Sequence, residues 1–264
     1  MIIGVIPARF ASTRLMGKPL ANIGGKPLIQ HTYESASQSK LIEKLILAVD
    51  DTKVASEARG FGADVMETPK EIASGSDRIA YVARTYKEAE IIVNIQGDEP
   101  FIRGEMIDQA IEPLLFDKSI QVTTLVKRIE TLKELRSPDI VKVVFDYNNY
   151  ALYFSRSVIP YTRTAISDTA AIEITDYFKH IGLYVFTRKA LFDFTSFKQT
   201  DLEMTEMLEQ LRMLENGMRI KVVETEYDSI SVDTQDDLKR ARTFYKWLQK
   251  SIDQADEGAK GNKK

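Results

Sequence analysis

Short runs rich in valine and isoleucine recur along the chain, and each of the first four has a helix-sized amphipathic stretch to go with it. No other feature restricts the fold as much. The strand candidates are residues 2–7, 45–49, 91–95, 121–126, 141–145, 151–154, 181–186 and 219–224; helical spacing occupies 28–38, 52–60, 77–87, 104–115, 200–216 and 234–250. Strands separated by helices are joined by right-handed crossovers, which gives an α/β fold with a mostly parallel central sheet. From 141 to 186 the strands crowd together, so that stretch is expected to form a smaller antiparallel β-lobe inserted in a single domain spanning 1–250. Residues 200–216 read as one helix. Thr200 and Glu203 suit a capping box, Gly217 suits the C′ position, and Met204, Met207, Leu208, Leu211 and Leu214 supply a core stripe. Residues 251–264 end in GAKGNKK and are expected to be a disordered tail, since 254–264 holds no large apolar residue.

Charge narrows the partners. The chain has 36 basic and 39 acidic residues and a net charge of -3, so nothing draws it as a whole to nucleic acid. No window approaches the ~18 apolar residues of a membrane span, and IIGVIP follows Met1 without a basic leader, so a cytoplasmic setting without a membrane partner is expected. The absence of cysteine excludes a disulfide framework, a thiolate nucleophile and thiolate metal sites. An anionic ligand must therefore meet a local patch. One exists: residues 1–33 contain no Asp or Glu, while Arg9, Arg14, Lys18 and Lys26 all fall there.

The centre of that patch is PARFASTRLMGKPL, residues 7–20, which begins where the first strand ends. Ligands of open α/β sheets bind beyond the carboxyl ends of strands. Small and hydroxyl residues, Ser12 among them, let backbone N–H groups approach an anion, while Arg9, Arg14 and Lys18 supply charge. The segment suits a polyphosphate, although it is neither a P-loop nor a GxGxxG turn. At the end of a later strand, QGDEP places Asp98 and Glu99 after Gly97. Mg²⁺ in nucleotide enzymes takes one or two carboxylates together with phosphate oxygens. Asp233, in VDT before the last helix, offers the second carboxylate unless it or Thr234 merely caps that helix. SGSDR, residues 74–78, supplies hydroxyls, a glycine and Arg78 at a helix start, suited either to close approach of a nucleobase or to an ordinary cap by Ser74 or Ser76.

These motifs fall in the order found in the 3-deoxy-manno-octulosonate (Kdo) cytidylyltransferases, the CMP-Kdo synthetases. PARFASTRLMGKPLANIGGKPLIQH, SGSDRIA, VNIQGDEPFI, VKVVFD, ALYFSRSVIPY, HIGLYVF, LEQLRMLENG and SVDTQDDL all resemble that family, across residues 2–245. The resemblance implies a Rossmann-like nucleotidyltransferase fold, a homodimer, Mg²⁺, and transfer of CMP from CTP to the anomeric hydroxyl of Kdo with release of pyrophosphate, for lipopolysaccharide biosynthesis. It puts the metal on Asp98 and Asp233 and part of the cytosine site on Ser74 and Arg78. It turns Gln96, His180, Glu209 and Gln210 toward the octulosonate. From the residues alone, His180 reads as a surface or hydrogen-bonded structural histidine, and Glu209 and Gln210 as solvated positions beside an apolar stripe. Ser231 departs from the family's usual glycine and QTDLEMTEM lacks its usual Pro-Leu-Glu, so 8-amino-3,8-dideoxy-manno-octulosonate is an alternative acceptor. Asp228, Glu206, Glu209 and Ser231 are candidates to meet its ammonium. A nucleotidyltransferase for another sugar acid or a sugar phosphate is a more distant reading.

Overall fold

The computed structural model describes residues 1–10, 15–165 and 167–261, with side chains through Ser251. In chain order its strands are β1 Ile2–Ala8, β2 Asn22–Ile23, β3 Lys26–Pro27, β4 Lys44–Val49, β5 Val65–Glu67, β6 Ile91–Asn94, β7 Val122–Arg128, β8 Lys142–Phe145, β9 Ala151–Ser155, β10 Phe178–Thr187 and β11 Lys221–Glu224. The α-helices are α1 Leu28–Ala36, α2 Thr52–Gly60, α3 Gly75–Thr85, α4 Gly104–Phe116, α5 Leu132–Arg136, α6 Asp168–Ile174, α7 Arg188–Ser196, α8 Asp201–Glu206, α9 Leu211–Glu215 and α10 Gln235–Gly261. The central sheet runs β11-β7-β10-β6-β1-β4-β5, and β2 with β3 forms a separate small hairpin. Pairing is parallel except where β10 lies antiparallel to both β6 and β7.

Both faces of this sheet are covered. Ile3 and Val5 of β1 pack with Ile79 and Val82 of α3 and Leu191 and Phe194 of α7. Ile6 and Ala8, on the other face, pack with Val54 of α2 and Met106, Ile107 and Ala110 of α4. This is why β1 reads as an unbroken apolar run rather than an alternating one. The stretch expected as a β-lobe is a hairpin of β8 and β9 hung on the start of β10, whose later residues form a central strand.

Two expectations need correction. The helix foreseen over 200–216 is two short helices broken at Met207, which adopts φ 54° and ψ 47°. Met204 and Met207, assigned to a core stripe, are exposed. The last helix continues to Gly261, past the end expected for it at residue 250. Ala, Glu, Gln and Lys in that stretch are strong helix formers, and polarity alone does not end a helix. Among the described residues no helix is long and apolar enough to cross a membrane.

Candidate active site

The chain runs from β1 outward to β4 and β5 and then returns to the other flank of β1 as β6. That reversal makes a topological switch point, and a crevice opens beyond the carboxyl ends of β1 and β6. Gly97 lets the two ends approach, because a Cβ there would stand 2.7 Å from the Pro7 carbonyl oxygen. Its small size matters here through close packing rather than through an unusual φ.

Lys18 follows Gly17, whose φ of 68° turns the loop into a short 3₁₀ turn over Lys18–Leu20. Its ammonium lies 2.7 Å from Asp98 Oδ2 and 2.9 Å from Asp233 Oδ1. Burial alone would lower the Lys18 pKa, but Asp98 and Asp233 more than offset that and raise it, so the ammonium keeps its charge. Asp233 is not the cap of α10. Asp237 Oδ2 accepts from the N–H groups of Asp233 and Thr234, and Thr234 Oγ1 accepts from the Asp237 N–H. The Asp233 carboxylate is thereby directed to Lys18, across 215 residues of sequence. Glu99 is buried against Ser229, and burial together with Asp98 pushes its pKa up to about 7. Among the described residues no three His, Cys, Asp or Glu side chains gather as a metal cage.

Arg9 is exposed and donates to the Ala73 carbonyl at 2.9 Å. Ser12 and Arg14 lie outside the described residues. Ser74 caps α3, accepting from the Asp77 N–H at 3.0 Å. Arg78 turns inward and is 0% exposed; it pairs with Asp50 at 3.1 Å and donates to the Thr68 hydroxyl. Asp50 in turn accepts from the Phe10 N–H at 3.0 Å. Arg78 therefore pins the loop after β1 to α3 from behind, where the resemblance would have it face a nucleobase.

A second region lies along β10. A cavity of about 200 Å³ is lined by Ser76, Asn94, Gln96, His180, Tyr184 and Glu209, among others. β10 bulges between Ile181 and Tyr184 by two residues relative to β7, so His180, Gly182 and Tyr184 all reach the cavity. Thr124 fills the bulge. Its hydroxyl donates to the Leu183 carbonyl at 2.7 Å and so is left to accept from His180 Nε2–H at 2.9 Å. Burial pushes the pKa of the ring down to about 3, so that the imidazole is held neutral. Burial and the nearby Glu209 raise Tyr184 well above its usual range, opposed by Thr124. Glu209 Oε2 accepts from Ser76 Oγ at 2.8 Å, while Oε1 is buried and lacks such a partner. Burial raises the Glu209 pKa, opposed by Ser76, Ser74 and Arg212.

The broken helix puts Glu209 and Gln210 in this cavity. Arg156 donates through Nε to the Glu206 carbonyl at 2.8 Å and through Nη2 to the Met207 carbonyl at 3.3 Å, satisfying groups that the break releases. The Glu206 carboxylate accepts from Ser155 Oγ and the Arg156 N–H. Across the break, buried Arg212 holds Glu203 with two charge-assisted bonds. Residues 207–210 are thus drawn out of helical register and the 209–210 pair faces inward. Of the acids considered for an ammonium ligand, Glu206 is engaged with Ser155 and Arg156, and Asp228 with Lys179. Asn94, Tyr184, Arg156 and Arg212 were missed from the sequence. The spacing of His180, Gly182 and Tyr184 on one strand face carried a signal for Tyr184; the other three depend on distant partners.

Known proteins agree with this architecture. Residues 3–220 match the cytidylyltransferase family model. The 3-deoxy-manno-octulosonate cytidylyltransferase of Pelobacter propionicus is 49% identical over 253 residues, covering 94% of this chain and 98% of that protein. Its counterpart in Geobacter sulfurreducens is 48% identical over 243 residues, covering 90% and 97%. The solved structure of a CMP:2-keto-3-deoxy-manno-octonic acid synthetase complexed with CTP superposes with a TM-score of 0.86 at 37% identity, covering 94% of this chain and 99% of that one.

Proposed function

The chain belongs to the 3-deoxy-manno-octulosonate cytidylyltransferase family, and from that premise we propose that it transfers CMP from CTP to the anomeric hydroxyl of Kdo and releases pyrophosphate. One observation carries the reading. Asp98 of the Lys18, Asp98 and Asp233 cluster lies two residues along the chain from Gln96, which lines the polar cavity. A strongly charged donor site and a more buried, hydrogen-bonding acceptor site thus meet at the end of one strand. In the reaction the anomeric oxygen forms a bond to the α-phosphorus while the bond from that phosphorus to the bridging oxygen of pyrophosphate breaks. Arg9, Arg14 and Lys18 hold and neutralise the triphosphate, and Ser12 and Ser74 shape the nucleotide side with Arg78 behind them. Gln96, His180, Glu209 and Gln210 orient the sugar so that its hydroxyl faces the phosphorus.

The donor set suits Mg²⁺. Two carboxylate oxygens from separate segments converge within 3 Å of one cationic nitrogen, and hard divalent cations favour such oxygens. Asp98 and Asp233 would hold the ion, and bound there it would neutralise phosphate charge and polarise the α-phosphate. A cytoplasmic homodimer completes the proposal, and sedimentation at micromolar protein checks its assembly state.

Pyrophosphate release from CTP, measured with and without Mg²⁺ across several ulosonates, tests the whole. Release requiring both Kdo and Mg²⁺ is the expected result, and release without any ulosonate would defeat it. Kdo competed against its 8-amino analogue decides the acceptor: a kcat/KM preference above about tenfold for the amino sugar, ~1.4 kcal/mol, would replace Kdo in the proposal.

A further inference from the structure

Residues 225–234 carry Asp233 to the cleft, yet this loop has no regular secondary structure. Something other than a helix or strand must fix it. Two ties lie close to the cleft: Ser229 Oγ donates to the Glu99 carboxylate, and the Val232 N–H donates to the Asp98 carbonyl at 2.9 Å. A third lies deeper. Lys179 Nζ is 2.9 Å from Asp228 Oδ1 and 3.2 Å from Oδ2, and Lys127 Nζ is 3.5 Å from Oδ2.

Lys179 and Lys127 face each other directly on β10 and β7. Like charges in such a pair repel. Here Asp228 lies between them, and Glu134 beside α5's first turn grips Lys179 from the other side. Lys179 is only 9% exposed while Asp228 is half-exposed, so the lysine end of the pair is shielded from water and the aspartate end is open to it. Its neighbour along β10 is His180. Successive side chains of a strand point to opposite faces. One strand therefore presents His180 to the acceptor cavity and, at the adjacent residue, grips the loop that leads to Asp233.

We propose that Lys179 is a positioning residue: its ion pair with Asp228 fixes loop 225–234 to β10, so that Asp233 and the acceptor cavity are held in one frame. The consequence for catalysis rests on the role given above to Asp233, whereas the clamp itself does not.

Hydrogen exchange of the full chain without nucleotide or metal tests the clamp, and steady-state kinetics test its use. Lys179→Met should speed exchange of amides in 226–232 by at least tenfold while β6 keeps its protection, and Lys179→Arg should restore the slow rate. Asp228→Asn removes the same pair from a half-exposed position, where the fold tolerates the change, and should loosen the same segment. In both loosened variants the Mg²⁺ concentration for half-maximal turnover and the KM for the sugar should rise several-fold together. Unchanged exchange at 226–232 in folded Asp228→Asn would overturn the clamp. A loosened loop with wild-type Mg²⁺ requirement and KM would overturn the coupling. If the wild-type protein turns over no CTP at all, the proposed function fails, and the exchange data still decide the clamp.

Discussion

On the β6 side of the cleft, Lys18 keeps its charge between Asp98 and Asp233, and all three remain partly open to solvent. On the β10 side, burial pushes His180, Tyr184 and Glu209 toward their uncharged forms. The two sides need opposite surroundings. A triphosphate is met by fixed charge, and partial exposure keeps that charge inexpensive to maintain. A polyhydroxylated sugar is held by hydrogen bonds, which discriminate best where an unpaired buried partner is costly. The donor side can therefore be assembled from loops, whereas the acceptor side needs a supported, dry wall.

Breaking the donor side should abolish chemistry and spare the fold. Asp233→Asn keeps the size of the side chain and removes a negative charge next to Lys18. Its kcat/KM should fall by at least about 10³, ~4 kcal/mol, with an unchanged melting temperature. Near-normal turnover of the folded variant would show that the charged side is not where the phosphates are handled.

Breaking the support of the acceptor side should instead strike the fold. Arg212→Met leaves Glu203 buried without its bidentate partner. Removing one member of such a pair costs ~3–5 kcal/mol, so denaturant unfolding should shift by that order. A shift below about 1 kcal/mol would mean that the pair behaves like a surface bridge and does not support the break.

Acid should separate the two sides next. His180 titrates at about 3 in the folded chain against 6.5 unfolded, so the unfolded state takes the proton first as pH falls. This contribution is present above pH 6.5 and is lost as pH drops toward 3, at up to ~1.4 kcal/mol per pH unit. Between pH 6.5 and 5 the wild type should lose about 1.6 kcal/mol more than His180→Gln. Equal losses would show that the ring is not held neutral.

The smallest effect is reserved for Glu209→Gln. Its Oε1 is buried, stands 4.0 Å from Arg212 Nη2 and has no hydrogen-bond partner among the described residues, so the substitution should raise the KM for the sugar about tenfold, ~1.4 kcal/mol, and leave that for CTP within about twofold. Equal change in both would erase the division between the sides.

Much of this was legible in the sequence, and the reasons differ by region. β1, β4 and β6 are apolar on both faces and announce themselves, while β5 is three residues long and β2 and β3 two each, too short for any period. Asp98 could be singled out as a carboxylate just past a strand, and Asp233 as one just before a helix; the structure brings both to Lys18. The break at Met207 could not. No glycine or proline marks it, and its causes are Arg156, about fifty residues earlier, and the buried Glu203–Arg212 pair. The partners of Arg78 could not be read for the same reason, since Asp50 and Thr68 belong to other elements.

The reversed direction of β10 bears also on how the chain is made. β6 and β7 are neighbours in sequence but not in the sheet; the strand between them arrives only with residues 178–187. During synthesis β6 must wait with one edge open while about eighty further residues emerge. Such an edge is a template for wrong pairing. The non-local insertion of β10 is also the kind of contact that slows folding. Gln96, beyond the end of β6, and His180, on β10, therefore come to share a cavity only late, and any delay in inserting β10 would expose the nascent chain at the very edge that later separates the two substrates.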